Sequence, residues 1–552
     1  MSRIKLTLNT DTVLFGKPGQ KIIDILEKNL EPGTYQPYIA VKNHKFCSLN
    51  ARVTEDSIIN TFPEFHTSSS RTYINTTIFL LSHICNIKFH DLSLMVLHSM
   101  ADGVYCKFTN QKVSSEIIKK IKREFENYVQ KALPIIPFLS DKIAAINYFQ
   151  TVDRADTAQM LRYCSQNYVT LYQIEDFKYW EQAPLAPNTN LLKTFDILPY
   201  SEGFILRCPI EGAPDKIQEF TNQEKLYDVF QEFVHWGDIL NLSTISDIND
   251  HIVTHNISEI IKISESLQDK KMSYIADQIF GAEKRLVFIA GPSSSGKTTF
   301  ANKLAIQLKV LGLNAITLSL DNYFKDRDEL RKEQGEALDF ETLDAIDLNL
   351  LNQHLKLLLN GHEIALPIYN FITGKKEASG LKLKVDEHTI ILFEGIHGIN
   401  PGLTPDIDDS VKFKIYISAL THLNFDRKNR IATHDMRLIR RIVRDYKYRG
   451  YTAADTIAMW KKVVEGEKKY IFKFQQFSDI MYNSALVYEM NALKNYAEKV
   501  LMQVPFEHPS YPEAERLLDI LSFFLPIDAE AIPDTSLVRE FLGGSAFRKV
   551  CL

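Results

Sequence analysis

The sequence predicts an α/β fold, with a parallel sheet flanked by helices, for residues 284–490. Two observations lead to this prediction. Four apolar runs alternate with stretches of helical spacing, which is the pattern of βαβ units. The first run enters a loop rich in Gly and Ser that continues into a predicted helix, as phosphate-binding loops do. The four runs are RLVFIAG, NAITLSLDNYF, HTIILFEGIHG and VKFKIYIS.

Smaller units surround this one. Residues 1–62 alternate apolar and polar positions around one helical stretch, QKIIDILEKNL, and predict a small β-rich module. The polar stretch HTSSSRT is interpreted as a linker. Residues 67–210 mix strands with a helix over 114–133 and predict an α+β domain. Residues 211–283 predict a helical connector, and residues 491–552 predict a helical C-terminal segment that serves packing.

Composition narrows the class of protein. The formal charge of −5 leaves no broad basic excess for nucleic acid or an anionic membrane. No apolar stretch is long enough for a membrane span, and the N-terminus lacks the apolar core of a signal peptide. Six scattered cysteines without a C-x-x-C pair predict reduced thiols and a cytoplasmic location. They are Cys47, Cys85, Cys106, Cys164, Cys208 and Cys551.

The loop GPSSSGKTT matches the pattern G-x-x-x-x-G-K-[ST] between a predicted strand and a predicted helix. Its glycines let backbone N–H groups point at phosphate oxygens, and the helix N-terminus adds a partial positive charge. Lys297 is expected to reach the β- and γ-phosphates of ATP, and the Thr298 hydroxyl to ligate Mg²⁺. The predicted ATP-binding residues are Gly291, Ser293, Ser294, Ser295, Gly296, Lys297, Thr298 and Thr299.

Carboxylates follow two further apolar runs, and the carboxyl ends of parallel strands are where ligands bind. Asp321, in SLDNYF, is expected to ligate Mg²⁺ or to accept a proton from a substrate hydroxyl. Glu394, in IILFEG, stands where a Walker-B acidic residue stands and is expected to hold the metal or its water. The sequence therefore predicts a metal and proton-transfer site beside the loop.

The segment DRKNRIATHDMRLIRRIVRDYKYRG carries the densest positive charge of the chain. Arg437, Arg441 and Arg444 share one helix face, and the aspartates of the segment are too few to neutralise it. We predict a mobile basic helix that closes over the γ-phosphate, stabilises charge and excludes water, with Arg441 and Arg444 as catalytic residues. Lys428 and Lys447 are interpreted as part of a solvated face.

A bound triphosphate could serve three uses. A GTPase switch normally carries N-K-x-D and D-x-x-G, and neither pattern occurs in residues 284–490. A motor ATPase is left open by the sequence. A small-molecule kinase needs a carboxylate that binds the acceptor, a general base and an arginine-rich helix, and the segment offers candidates for all three.

Six motifs, in order, resemble the uridine kinase and phosphoribulokinase family over about residues 285–490. The resemblance implies transfer of phosphate from ATP, with Mg²⁺, to a hydroxyl, typically the 5′-hydroxyl of uridine or cytidine. It implies that Asp321 is the catalytic carboxylate and a metal partner, and that Thr298 and Glu394 complete the metal site. The motifs are GPSSSGKTTFANKLA, SLDNYF, DFETLDAID, LPIYNF, ILFEGIHGIN and RLIRRIVRD with the following RG.

The same resemblance implies an acceptor pocket. Glu341 would bind ribose hydroxyls with Arg441 as its companion. Tyr323 and Tyr369 would line the nucleoside pocket, and Arg444 and Arg449 would contact phosphates; Arg449 is also counted among the substrate-binding residues. The pocket departs from the family pattern at three positions, whereas the ATP side matches it. Phosphoryl transfer is therefore better supported than uridine as the acceptor.

The departures are specific. In pyrimidine kinases a base-reading His follows the tyrosine, and here that position falls at about Gly374. The family's RGR is RGY, ending at Tyr451, and Glu341 replaces the usual Asp with a side chain one methylene longer. His397, in EGIHG, is either a substrate contact or a polar loop residue without a role.

The N-terminal half has its own resemblance. Residues 1–62 resemble a TGS domain, a small β-grasp module found in threonyl-tRNA synthetase and some GTPases. Residues 67–210 resemble the editing domain of that synthetase, on the segments HSMADGVYC and APLAPNTNLLKTFDI. The whole chain thus resembles bacterial fusions of these two modules with a uridine kinase-like domain.

The resemblance implies that the editing chemistry is lost. The synthetase site uses H-x-x-x-H and C-x-x-x-H, but here only His83 remains, with Phe79 four positions earlier. Glu181 and Leu185 stand where the Cys and the second His would be. We therefore predict a binding or regulatory module, with contact to RNA or the ribosome and self-association left open. The alternative to a nucleoside kinase is a nucleotide-sensing protein that binds RNA or the ribosome.

Overall fold

The fold is taken from a computed structural model. Its helices and strands are numbered in chain order. The structure describes residues 4–9, 12–29, 37–62, 66–100, 103–211, 213–335, 339–370, 373–421 and 423–547.

The first unit holds a five-stranded mixed sheet, a separate two-stranded sheet and one helix. Its elements are β1 Ile4–Leu8, β2 Thr12–Gly16, β3 Gln20–Lys21, α1 Ile22–Asn29, β4 Ile39–Lys42, β5 Lys45–Cys47, β6 Arg52–Val53 and β7 Ser57–Phe62. β1 pairs antiparallel with β2 and parallel with β7, which gives the order β2-β1-β7-β4-β5. Alternating residues of β1 and one face of α1 are buried together, as the alternation in the sequence predicts.

The second unit holds two antiparallel sheets, ordered β13-β14-β9-β8 and β10-β11-β12. Its elements are α2 Thr67–Lys88, β8 Leu94–Met100, β9 Gly103–Phe108, α3 Ser115–Lys131, β10 Ile136–Asp141, α4 Lys142–Thr151, α5 Ala155–Tyr163, β11 Tyr168–Ile174, β12 Phe177–Trp180, β13 Asp196–Tyr200 and β14 Gly203–Arg207.

The linker predicted at HTSSSRT is wrong, because these residues open the long helix α2. His66 caps the helix by accepting a hydrogen bond from the Ser68 N–H. Further along, the hydroxyls of Thr76 and Thr77 donate to backbone carbonyls four residues earlier. Helical geometry thus satisfies polar side chains inside the helix, so polarity alone did not indicate a loop.

The connector and the C-terminal segment are helical, as predicted. The connector contains α6 Glu224–Leu240, α7 Ile245–Val253 and α8 Ile257–Gly281. The α/β unit lies between the connector and the C-terminal segment in the chain. Its elements are β15 Leu286–Ala290, α9 Lys297–Val310, β16 Asn314–Ser319, α10 Arg327–Gln334, α11 Leu348–Leu359, β17 Ile364–Asn370, β18 Lys375–Leu383, β19 Thr389–Glu394, β20 Lys412–Ser418, α12 Thr433–Tyr448, α13 Ala453–Tyr470 and β21 Ile480–Asn483. The C-terminal helices are α14 Glu489–Leu501, α15 Tyr511–Leu521 and α16 Arg539–Leu542.

The predicted parallel sheet is confirmed. Its order is β16-β19-β15-β20-β21, and every pairing within it is parallel. The four apolar runs supply four of the strands. The fifth, β21, has only four residues, and so short a run carries no periodicity that the sequence could reveal.

Lys428, expected on a solvated face, is instead buried between the second unit and the α/β unit. Its ammonium pairs with Glu181. It also lies 4.7 Å from the ring centroid of Phe79 and 4.1 Å from that of Tyr179. Burial raises the pKa of Glu181 to about 7, while the Lys428 charge opposes that shift. Lys428 was interpreted as solvated because its partner, Glu181, lies 247 positions away in the chain. No local pattern reveals such a contact.

We expect Lys428→Met to lower the stability of the protein by roughly 3–5 kcal/mol, because it leaves the Glu181 carboxylate buried without its partner. Thermal unfolding would measure this. The double variant Lys428→Met/Glu181→Met should recover most of the loss. Lys461→Met, at a side chain 66% exposed, is the matched control and should change little. A single variant as stable as the wild type would contradict the assigned role.

Among the described residues, the structure contains no helix with the length and apolarity that crossing a bilayer requires. The five cysteines that the structure describes are all unpaired thiols.

Candidate active site

The loop between β15 and α9 is shaped by its glycines. A Cβ at Gly291 would lie 2.0 Å from the carbonyl oxygen of Ile417, so only glycine fits there. Gly296 has φ of 84° and Ser294 has φ of 60°, both in the left-handed region. For Ser294 this conformation is strained, and such strain is typical of functional loops. The loop therefore curls around the N-terminus of α9.

The loop residues fit the triphosphate of a nucleotide. The Lys297 ammonium donates to the carbonyl oxygens of Gly291 at 2.9 Å and Pro292 at 3.1 Å, so it already bends over the loop. Within the part of the chain that the structure describes, the buried hydroxyls of Ser294 and Ser295 have no hydrogen-bond partner. An ammonium, two orphaned hydroxyls and a helix N-terminus are the groups that bind phosphate.

The predicted carboxylates end adjacent strands. Ser319, the last residue of β16, lies opposite Glu394, the last residue of β19, and donates a hydrogen bond to it at 3.0 Å. Burial raises the pKa of Glu394 to about 7, and the nearby Asp321 charge adds to this. Burial also raises the pKa of Asp321, against the pull of Lys297 and Arg449. Sequence reasoning missed Ser319, which orients Glu394.

These donors suit Mg²⁺, which usually takes one or two carboxylates together with substrate phosphates and water. Thr298 is the second residue of α9, next to Lys297. Burial lowers the pKa of Lys297, and the carboxylates of Glu394 and Asp321 lie close enough to oppose that shift. Thr298, Asp321 and Glu394 would hold the ion when the nucleotide is bound.

The predicted mobile basic helix is wrong in one respect, because α12 is packed into the molecule. Arg440 is fully buried and forms an ion pair with Glu489. It donates to the carbonyl oxygen of Ser294 at 3.1 Å and to that of Ser484 at 3.0 Å. Arg440 therefore supports the phosphate-binding loop from behind. Apolar residues of α12, among them Leu438 and Ile442, are buried in the core on the same helix.

Asp445 holds the other arginines together. Its carboxylate lies 3.1 Å from Arg441, 2.8 Å from Arg444 and 3.6 Å from Arg449. Arg441 also donates to the Ser293 hydroxyl at 2.6 Å, which brings it to the loop. One buried carboxylate thus serves three guanidinium groups, which leaves this face with a net positive charge, in line with the expectation that its aspartates are too few to neutralise it.

Glu467, on α13, is a site residue that the sequence analysis missed. Its carboxylate accepts a hydrogen bond from the Ser293 N–H at 2.7 Å and pairs with Arg437. Arg437 in turn donates to the Ser293 carbonyl oxygen at 3.1 Å. Glu467 stands in KKVVEGEKKY, which has the composition of a solvated helix, so no local signal marked it.

Glu341 lies beside this cluster. Burial raises its pKa to about 7, Glu467 adds to the shift, and Arg441 opposes it. A Cβ at Gly466 would come within 3.2 Å of the Glu341 side chain, so glycine makes room for it. The structure thus brings Glu341 and Arg441 near each other. His397 is buried close by, near the backbone of Glu341, and burial lowers its pKa to about 4, which keeps the ring neutral.

We expect Glu341→Gln to flatten the dependence of stability on pH. The folded-state pKa of Glu341 is raised, so its contribution to stability is present below about pH 4.5 and is lost as pH rises through about 7. Thermal unfolding at pH 5 and pH 8 should therefore differ less in the variant, by up to about 3 kcal/mol. Glu329→Gln, on exposed α10, should keep the wild-type slope. Equal slopes for all three proteins would contradict this assignment.

The two predicted pocket tyrosines lie in the core next to the site. Tyr323 is 1% exposed, and its hydroxyl is 3.2 Å from Nδ1 of His354. Tyr369 is 4% exposed and packs its ring 5.6 Å from that of Phe324. Their part in acceptor binding stays a prediction, because these contacts give both rings a packing role.

Gly374 explains one departure from the family pattern. It has φ of 68°, and a Cβ there would lie 2.7 Å from the Arg327 guanidinium nitrogen Nε. The Arg327 N–H also donates to the Gly374 carbonyl oxygen at 2.8 Å. Any side chain at this position would have to displace Arg327 and would be strained at this φ.

Taken together, a phosphate-binding loop, two strand-end carboxylates and arginines gathered on one aspartate define a P-loop phosphotransferase. Residues 286–488 match the model of the Phosphoribulokinase / Uridine kinase family. The chain belongs to this family, and it is a kinase that phosphorylates a hydroxyl acceptor.

Three curated uridine kinases each match over 36% of this chain. The uridine kinase of Mycoplasma pneumoniae is 33% identical over 199 residues, which are 36% of this chain and 83% of that protein. The uridine kinase of Clostridium perfringens is 31% identical over 202 residues, or 36% and 87% of the two chains. That of Staphylococcus haemolyticus is 28% identical over 201 residues, again 36% and 87%.

Proposed function

We propose that the protein transfers the γ-phosphate of ATP to a hydroxyl of a nucleoside, with uridine and cytidine as the first acceptors to test. One observation carries the proposal: Asp321, Glu394 and Arg444 all act electrostatically on Lys297 at the loop. A base, a metal-binding carboxylate and a cation for the transferred group therefore share one small volume. The uridine kinase relatives support a nucleoside as the acceptor.

In this mechanism ATP supplies the phosphoryl group, and Mg²⁺ held by Thr298, Asp321 and Glu394 would neutralise charge on the phosphates. Lys297 and the loop amides hold the triphosphate. Asp321 accepts the proton of the attacking hydroxyl as the general base. Arg441 and Arg444, fixed by Asp445, stabilise the charge that develops during transfer.

The acceptor side uses Glu341 and Arg441. Glu341 accepts hydrogen bonds from the sugar hydroxyls, and Arg441 favours its ionised form. Arg327 beside Gly374 supplies donors where the pyrimidine kinases use histidine, so the base recognised here can differ from uracil or cytosine. The base that the pocket recognises is therefore the part of the proposal that the test below has to identify.

The direct test is a panel of nucleosides, each incubated with the full chain and Mg-ATP while ADP release is followed. One or more nucleosides should stimulate ADP release well above the rate without acceptor. If nucleotide binds but no nucleoside stimulates turnover, the nucleoside assignment fails and the nucleotide-sensing alternative is favoured.

We further propose that residues 1–62 form a TGS-like β-grasp module. The order β2-β1-β7-β4-β5, with β1 parallel to β7 and α1 across the sheet, supports this. Its role would be to bind a partner, for which RNA or the ribosome are the candidates to test.

Residues 67–210 are proposed to be an editing-like module without editing chemistry. Phe79 and Glu181 stand at two of the positions where the synthetase would have catalytic side chains. Both contact Lys428 of the kinase unit, and Leu185 is fully buried. The former site is thus filled by the kinase unit, which supports a role as a scaffold for the kinase rather than as a hydrolase.

A further inference from the structure

The C-terminal helix α16 contacts the phosphate-binding loop. The Glu540 carboxylate accepts hydrogen bonds from the Thr299 hydroxyl at 2.9 Å and from the Thr299 N–H at 3.3 Å. These residues are 241 positions apart, and Thr299 is 4% exposed. Glu540 lies outside residues 286–488, which match the family model, so this contact is not explained by the family's kinase unit.

The position of the contact matters because Thr299 lies in the first turn of α9. The N–H groups of this turn have no partner within the helix and carry its partial positive charge. They are the groups that a loop of this kind offers to nucleotide phosphates. A carboxylate on Thr299 therefore occupies a donor that a phosphate oxygen would use.

The negative charge of Glu540 also opposes the binding of a nucleotide phosphate at this helix end. Glu540 acts on both Lys297 and Glu394, so its carboxylate lies within the charged cluster of the site. A nucleotide phosphate brought to the same helix end would meet this negative charge at short range. The two anions repel each other, and they need the same donors, so they exclude each other.

The segment that carries Glu540 packs into the same hydrophobic core as α12, and Val538, Phe541 and Leu542 are buried there. The Lys447 ammonium donates to the Leu542 carbonyl oxygen, and the Phe541 ring lies 4.9 Å from the Arg440 guanidinium. Arg440 itself bonds the loop at Ser294. Movement of α16 would therefore be felt by both the loop and α12.

We propose that residues 528–547 form an autoinhibitory segment, in which Glu540 takes the place of a nucleotide phosphate at Thr299, and ATP binds only after α16 moves away. The inference rests on the proposed function in requiring nucleotide at this loop. It adds a regulatory step, since anything that holds α16 in place or draws it away changes the affinity for ATP.

The test compares the wild-type chain with Glu540→Gln and Glu540→Ala by calorimetric titration with Mg-ATP and Mg-ADP. Both variants should bind at least about tenfold more tightly, because a charged competitor is removed from Thr299. Glu530→Gln makes the same change of charge at an exposed position of the segment and should bind as the wild type does.

A second measurement needs no variant. On saturation of the wild type with Mg-ADP, backbone amides of residues 539–547 should exchange hydrogen faster, while those of the loop should be protected. Unchanged or slower exchange in 539–547 would overturn the inference.

The outcomes separate this inference from the proposed function. Equal or weaker nucleotide binding by the Glu540 variants, with measurable binding by the wild type, overturns the inference alone. Absence of nucleotide binding by every protein tested overturns the proposed function and the inference together.

Discussion

Asp321→Asn is expected to abolish phosphoryl transfer while leaving ATP binding largely intact. The amide keeps the size of the side chain but cannot accept the proton of the acceptor hydroxyl, and it is a poorer metal ligand. Loss of a general base alone lowers turnover by about 10²–10⁴-fold, and the metal contact adds to that. Turnover with a saturating acceptor and the dissociation constant for ATP, measured on the same preparation, separate the two effects.

The matched control is Asp328→Asn on α10, where the side chain is 68% exposed. It makes the same chemical change away from the site and should leave turnover within about twofold of the wild type. Wild-type turnover in Asp321→Asn would refute the role of this carboxylate as the base. A folded variant that also loses ATP binding would assign Asp321 to the nucleotide instead.

Lys297→Ala should remove about 3 kcal/mol or more of transition-state stabilisation, which is a loss of at least about 10²-fold in kcat/KM. Its ammonium is the cation of the loop, and it faces Glu394, Glu540 and Asp321. Without it these carboxylates repel the triphosphate and each other. Steady-state kinetics with ATP as the varied substrate measure the loss.

Lys309→Ala, in the last turn of the same helix and exposed, is the control for this variant. It removes an equal charge away from the loop, so kinetics should match those of the wild type. If Lys297→Ala retained activity near the wild-type level, the loop would not bind phosphate in the predicted manner.

Local sequence patterns were sufficient to predict the site residues whose positions depend on the strand or helix that carries them. The apolar runs fixed the order of strands and loops, and parallel strands bring their carboxyl ends to one edge of the sheet. The sequence alone therefore predicts that Asp321 and Glu394 lie beside the phosphate loop. Spacing also predicted that Arg441 and Arg444 lie on one face of a helix, because it matches the helical repeat.

Partners of those residues could not be found in this way. Asp445 looked like one acid among many bases, yet it is the common partner of three arginines. Glu467 and Glu540 reach the loop from α13 and α16, and Lys428 looked solvated but is buried against another unit. No periodicity connects such residues, since each pairing depends on how distant helices pack.

The sequence by itself determined the class of reaction, the phosphate loop and the acidic groups that follow its strands, because these depend on local spacing and on the geometry of a parallel sheet. Only the tertiary structure decided which charges neutralise one another, that α12 is packed rather than free, and that the C-terminal helix meets the loop. Burial removes water from charged groups, so each must find a partner, and that partner is set by the packing of the whole chain.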